Sequence, residues 1–158
     1  MRVVLQRVKK ADVKTCPQGL AKHGRRVDNE TVGEISHGFL ILLGVGKGDG
    51  EKEADWLVEK IMKLRVFEDQ DGKMNKDIVE VGGEILVVSQ FTLYGDCQSG
   101  NRPGFSDAAP PDEANKLYEY FVAKIKEKNI KVATGQFGAY MEVSLVNDGP
   151  VTLIIESK

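Results

Sequence analysis

Ile85-Leu86-Val87-Val88 is an aliphatic run that passes without a break into Ser89-Gln90-Phe91-Thr92. A strand with one face in water alternates polar and apolar residues. An unbroken apolar run bounded by Gly82-Gly83 reads instead as a strand buried on both faces. Phe39-Leu40-Ile41-Leu42-Leu43, followed by Gly44-Val45-Gly46, imposes the same condition a second time. Two interior strands need apolar cover on both sides, and this constrains the fold more than any other feature of the chain.

The cover is found in two amphipathic segments. Residues 51 to 65 place Ala54, Leu57, Val58, Ile61 and Leu64 on one helical face, with Asp49 read as the N-cap. Glu51, Glu53 and Asp55 occupy the early turns and Lys60, Lys63 and Arg65 the late ones, as the helix dipole favours. A second helix is expected from Pro111, presenting Ala114, Leu117, Tyr118, Phe121 and Ile125 to the core. Val3 to Val8 reads as an opening strand. Asp77 to Val81 is a candidate short segment, and Lys131-Val132-Ala133 opens the last part of the sheet. Met141 to Val146 and Val151 to Ile155 are strands on either side of a Gly149-Pro150 turn. Residues 14 to 31 follow neither period and read as a long loop, made locally basic by Lys22, His23, Arg25 and Arg26. Two helices and roughly eight strands predict an α+β single domain over residues 1–158, a curved barrel-like β-sheet covered by the two helices.

Composition excludes several function classes. A 158-residue chain with 41% hydrophobic and 29% charged residues is neither disordered nor a membrane protein, and no apolar run approaches a spanning helix. The formal net charge of -2 provides no overall attraction for nucleic acid, so RNA binding would need a local basic patch. Cys16 and Cys97 lack CxxC spacing and have only His23 and His37 to join them, so no metal and no cofactor is expected. Without a signal peptide, a cytoplasmic location is the expectation.

Ser89, Gln90 and Thr92 stand where the buried strand reaches the surface, a rigid place from which polar groups can act. Taken locally, the favoured reading is that the same groups satisfy backbone donors and acceptors at a strand end. A second stretch, Val146-Asn147-Asp148-Gly149-Pro150-Val151-Thr152, changes the balance. Ser89-Gln90-Phe91-Thr92 resembles the Ser-Gln-x-Thr motif of the D-aminoacyl-tRNA deacylases, also called D-tyrosyl-tRNA deacylases, and Gly149-Pro150 resembles their Gly-cis-Pro motif. The resemblance runs from Met1-Arg2-Val3-Val4 to Pro150-Val151-Thr152. The chain departs from it within residues 14 to 31, where the family's short hairpin is replaced by what reads as an insertion.

The resemblance implies hydrolysis of the ester joining a D-amino acid to the 3′-terminal adenosine of tRNA, and of glycine mischarged on alanine tRNA. It implies a homodimer, with Gly149 and Pro150 of one subunit entering the site of the other, receiving the amino group through their carbonyl oxygens and excluding L side chains. It matches Arg7 to the arginine that braces this segment, and Phe137 and Met141 to positions lining the adenosine pocket. The residues themselves supply no G-x-S-x-G elbow, no H-E-x-x-H and no His in an apolar motif, so catalysis must lean on positioning and backbone dipoles. Backbone N–H groups around Phe91 and Thr92 are placed to stabilise an oxyanion while the substrate's 2′-hydroxyl activates water. Thr92 as a nucleophile is the second reading, lacking a base partner in the sequence. A related animal-type deacylase that edits L-alanine on a threonine tRNA resembles Pro-Gln-x-Thr, and Ser89 argues against it. A nucleic-acid-binding module without catalysis is the alternative from another class.

Overall fold

In the computed structural model, residues 1–16 and 30–157 are described, apart from the side chain of Cys16. The elements are β1 (Arg2–Cys16), β2 (Glu30–Ile35), β3 (Gly38–Gly44), α1 (Glu51–Met62), β4 (Phe67–Glu68), β5 (Met74–Lys76), β6 (Glu84–Ser89), α2 (Pro111–Lys126), β7 (Val132–Thr134) and β8 (Tyr140–Glu156). The main sheet runs β2-β1-β3-β6-β7, with β8 on β1, and β4 and β5 form a separate small hairpin. β3 pairs with β6 in parallel and β6 with β7 in parallel, whereas β1 is antiparallel to β2, β3 and β8.

The two continuous apolar runs are β3 and β6, and each feeds both sides of the sheet. Phe39, Ile41, Ile85 and Val87 join Leu57, Ile61, Phe121 and Ile125 of the helices in one core. Leu40, Leu86 and Val88 point the other way and meet Val8, Ala11, Val13 and Ile35 in a second. Burying an aliphatic side chain contributes about 1.5–3 kcal/mol, so these two strands anchor both layers. β1 changes allegiance along its length: Val3 and Leu5 belong to the helix-side core, Ala11 and Val13 to the other. The register irregularity at Val8/Lys10, where β1 spends two residues against one of β8, supplies the change of parity.

The sheet curls until β2 comes against β7 and nearly closes a barrel. Gly33 sits at the seam, where a Cβ would lie 2.6 Å from the Thr134 carbonyl oxygen. Only glycine lets the two backbones approach so closely.

Several expectations are corrected. The first helix ends at Met62 rather than residue 65, with Lys63 and Leu64 completing a tighter turn onto the Lys60 and Ile61 carbonyls. Its N-cap is Gly50, not Asp49. The Asp49 carboxylate is already engaged by the Gly46 N–H at 2.6 Å and the Met1 amino group, and Glu53 reaches back to the Gly50 N–H at 2.8 Å instead. The short segment expected over Asp77 to Val81 is a turn held by the Asp77 carboxylate. The loop read over residues 14 to 31 is invaded from both ends, since Lys14 pairs with Thr31 and Thr15 with Glu30. Lys22, His23, Arg25 and Arg26 lie outside the described residues.

Gly149-Pro150 is not a hairpin turn. The chain keeps its direction through β8, and β1 partners step from Thr152 opposite Gln6 to Asn147 opposite Val8. The intervening residues therefore form a bulge on a continuous strand, because β1 offers them no room in the ladder.

Candidate active site

β6 ends level with β3, Ser89 opposite Leu43, and the Gln90 N–H donates to the Leu43 carbonyl at 2.8 Å. The backbone then tightens into a 3-10 turn over Phe91–Tyr94, with the Leu93 N–H donating to the Gln90 carbonyl at 3.2 Å and Gly95 to Thr92 at 2.9 Å. No hydrogen bond among the described residues uses the backbone N–H of Phe91 or Thr92. The Gln90 side-chain amide donates to the Thr92 hydroxyl oxygen. This polar turn is the direct consequence of a buried strand running out of partners: Leu43 is the last β3 residue available to it.

The turn forms one wall of a cleft of about 560 Å³. Ser89, Gln90 and Phe91 line that wall, Phe105, Ala108 and Pro111 a second, and Phe137, Tyr140 and Met141 a third. The volume lies in the range that takes a ligand of nucleoside size. Phe137 is steadied from behind by Tyr118, ring centroids 6.0 Å apart. Burial pushes the Tyr118 phenol up to about 12, so it stays protonated and donates to the Val87 carbonyl at 2.9 Å. Phe91 and Phe105 meet edge-on with centroids 5.1 Å apart.

Five of the residues singled out from the sequence thus meet in one place: Ser89, Gln90, Phe91, Phe137 and Met141. Thr92 follows on the exposed side of the turn. Arg7, Gly149 and Pro150 do not line the cleft. From Met141 to Gly149 along β8 is up to about 26 Å at the usual strand rise.

The second group has its own order. Arg7 is only 4% exposed. Its Nη1 donates to the Val66 carbonyl at 2.5 Å and its Nε to the Asp148 carbonyl at 3.2 Å, with the Asp148 carboxylate 3.3 Å away. Asn147 donates to the carbonyls of Arg7 (2.9 Å) and Val151 (3.0 Å), closing the bulge at its base. Within it the Gly149–Pro150 peptide is cis, Gly149 has φ +118°, and both residues are exposed. A Cβ on Gly149 would lie 3.0 Å from Arg7 Nη2.

Sequence reasoning passed over Phe105 and Tyr140. Phe105 belongs to the long loop between Gly95 and Pro111, whose position after a polar strand end was the available signal. That loop is pinned by the Asp96–Gly104 backbone pair and by Lys47 and Ala109 donating to the Asp107 and Val45 carbonyls. Tyr140 stands between two residues matched to the cleft, and its side chain falls on the wall because β8 starts there.

A family model described as D-Tyr-tRNA(Tyr) deacylase matches residues 4–156. A D-aminoacyl-tRNA deacylase of Thermosipho africanus is 54% identical over 158 residues, covering 100% of this chain and 98% of the relative. Among solved structures, that of a c-Myc DNA Unwinding Element Binding Protein superposes with a TM-score of 0.85 at 38% identity, covering 100% of this chain and 99% of that one. Another, of a probable eukaryotic D-amino acid tRNA deacylase, superposes with a TM-score of 0.74 at 16% identity over 98% of each chain, a likeness of fold.

Proposed function

The chain belongs to the D-Tyr-tRNA(Tyr) deacylase family and is a hydrolase of the D-aminoacyl-tRNA ester bond; from that premise we propose how its residues divide the work. The terminal adenosine enters the cleft against Phe137 and Met141, an aromatic face and a thioether suited to a purine. This sets the ester carbonyl at the turn after β6, where the N–H groups of Phe91 and Thr92 receive the developing oxyanion. The unengaged state of those two N–H groups is the observation that carries the reading. An oxyanion donor is typically worth roughly 100- to 1,000-fold in rate, enough for an ester that is already labile. The 2′-hydroxyl of the ribose, adjacent to the ester, activates water. Thr92 is less suited to attack, since its hydroxyl accepts from the Gln90 amide and no described group near it is a base. Ser89 and Gln90 position the reacting end.

Chirality is read by the Gly149 and Pro150 carbonyls, which take the α-amino group and leave no space for an L side chain. The distance along β8 favours their acting on the cleft of a twofold mate, which makes the working enzyme a homodimer. Because the filter rejects L rather than recognising a D side chain, glycyl-tRNA is also a substrate. The cytoplasm, where aminoacyl-tRNA is used, is its place of action.

The test is paired deacylation of D-Tyr-tRNA and L-Tyr-tRNA, with Pro150→Ala and Thr92→Ala alongside. Loss of the D ester alone, weakened discrimination in Pro150→Ala and retained turnover in Thr92→Ala are the expected results. An acyl-enzyme trapped on Thr92 would overturn the proposed chemistry. The 38% identical structure bears the name of a DNA-element-binding protein, which favours a second reading, binding of a DNA element. Stoichiometric binding of duplex DNA without turnover of either ester would establish it.

A further inference from the structure

The cleft has two aromatic faces from one short segment, and the substrate's terminal nucleoside needs only one. Phe137 is partly buried and backed by Tyr118. Tyr140, three residues on, is 63% exposed, and no hydrogen bond among the described residues engages its hydroxyl. Among the described large apolar and aromatic side chains only Ile154 is more exposed, and Ile154 does not line the cleft. Exposing a ring of this size to water is unfavourable, which is why large aromatics left open at a cleft mouth mark binding positions.

The segment is held in shape. Between the two rings Gly138 takes φ +72°, and the Ala139 N–H closes the turn onto the Gln136 carbonyl at 3.2 Å. Tyr140 then enters the β1–β8 ladder. Three residues span at most about 11 Å, so the second ring stands within a nucleotide step or so of the first. The Phe91–Phe105 pair lines the same cleft.

We propose that Tyr140 is a stacking platform for the base of the nucleotide immediately 5′ of the terminal adenosine. This rests on the adenosine placement above and extends it outward along the single-stranded 3′ end. Single-stranded RNA is recognised by splayed bases laid on aromatic faces, a contact indifferent to which base is offered. Tyr140 thereby gives the enzyme grip on a polynucleotide end that a free aminoacyl-nucleoside cannot provide. It acts on binding, not on the bond that breaks.

The experiment compares two substrates, D-Tyr-tRNA and 3′-O-D-tyrosyl-adenosine, for the wild type, Tyr140→Ala and Tyr140→Phe. Tyr140→Ala is expected to lower kcat/KM on the tRNA substrate by roughly five- to a hundredfold, the range that loss of one base–aromatic stack produces, with the change in KM. Its activity on the nucleoside ester is expected to match the wild type, and Tyr140→Phe to behave as wild type on both. Equal loss on both substrates would place Tyr140 in the adenosine pocket and overturn the inference, as would no loss on either. A wild-type protein that cleaves the nucleoside ester but gains nothing from the tRNA would overturn it too. Inactivity of the wild type on both substrates would instead remove the adenosine placement itself, and the inference with it.

Discussion

Arg7 illustrates how much one side chain can hold. Its guanidinium spans two segments far apart in sequence, capping the Val66 carbonyl on one side and the Asp148 carbonyl and carboxylate on the other. The Glu68 carboxylate is 3.9 Å away and largely exposed, so its share is small. Arg7→Met would leave the Val66 and Asp148 carbonyls without that donor, at about 1–3 kcal/mol for the buried Val66 group and less for the half-buried Asp148 one. The expected outcome is a lowered urea midpoint together with reduced preference for D over L esters, because the bulge carrying Gly149 and Pro150 loses its brace. Arg7→Lys, which keeps the charge but not the forked geometry, should recover only part of either. A variant with a lowered midpoint but unchanged chiral preference would confine Arg7 to a structural role. The resemblance matched this residue to a bracing arginine, but without it Arg7 reads as an ordinary strand-edge charge, because nothing local says that β8 bulges opposite it or that Val66 is its neighbour.

At the scale of elements, legibility followed the hydrophobic pattern. β3, β6, α1 and α2 were readable because each carries a period or an unbroken run that only one element satisfies. The bulge in β8 was not, since a Gly-Pro pair between two strand-like runs fits a reversal of direction as well as an interruption within one strand. What decides between them is the pairing of β8 with β1 along both halves, a contact between segments at opposite ends of the chain. The barrel-like curvature was expected from the long apolar strands and few helices, but its seam was hidden, resting as it does on the approach of β2 to β7 at Gly33. Gly33→Ala places a Cβ 2.6 Å from the Thr134 carbonyl oxygen, where backbone rather than a pliable side chain must yield. A loss of about 1–3 kcal/mol is expected by chemical denaturation. Gly104→Ala, with nothing within 4 Å of the added Cβ, should change stability by less than about 0.5 kcal/mol.

The molecule as a whole presents an open edge. β8 pairs with β1, and no other described strand pairs with it. A 17-residue strand left unpaired on one side is a template for association. Ile154, 71% exposed, and Val146 add apolar surface to it. If that face belongs to the proposed homodimer, Ile154→Lys should shift the protein toward the monomer by sedimentation and reduce deacylation in parallel, while the monomer's circular dichroism stays native. A monomer with full activity would exclude the action of Gly149 and Pro150 across subunits. The cleft, by contrast, was legible in its chemistry before its shape: the polar end of β6 was evident as a motif, whereas the walls from Phe105 and Tyr140 required the fold.

The pairing of β1 with β8 also sets a timetable. β1 is made before β8, so the ladder between them can zip only once β8 has followed it. Until then β1 has just β2 and β3 beside it, and the wall bearing Phe137, Tyr140 and Met141 does not exist. A chain that has not yet reached β8 therefore has no cleft to offer, and the hydrolase becomes competent only after its two most distant strands have met.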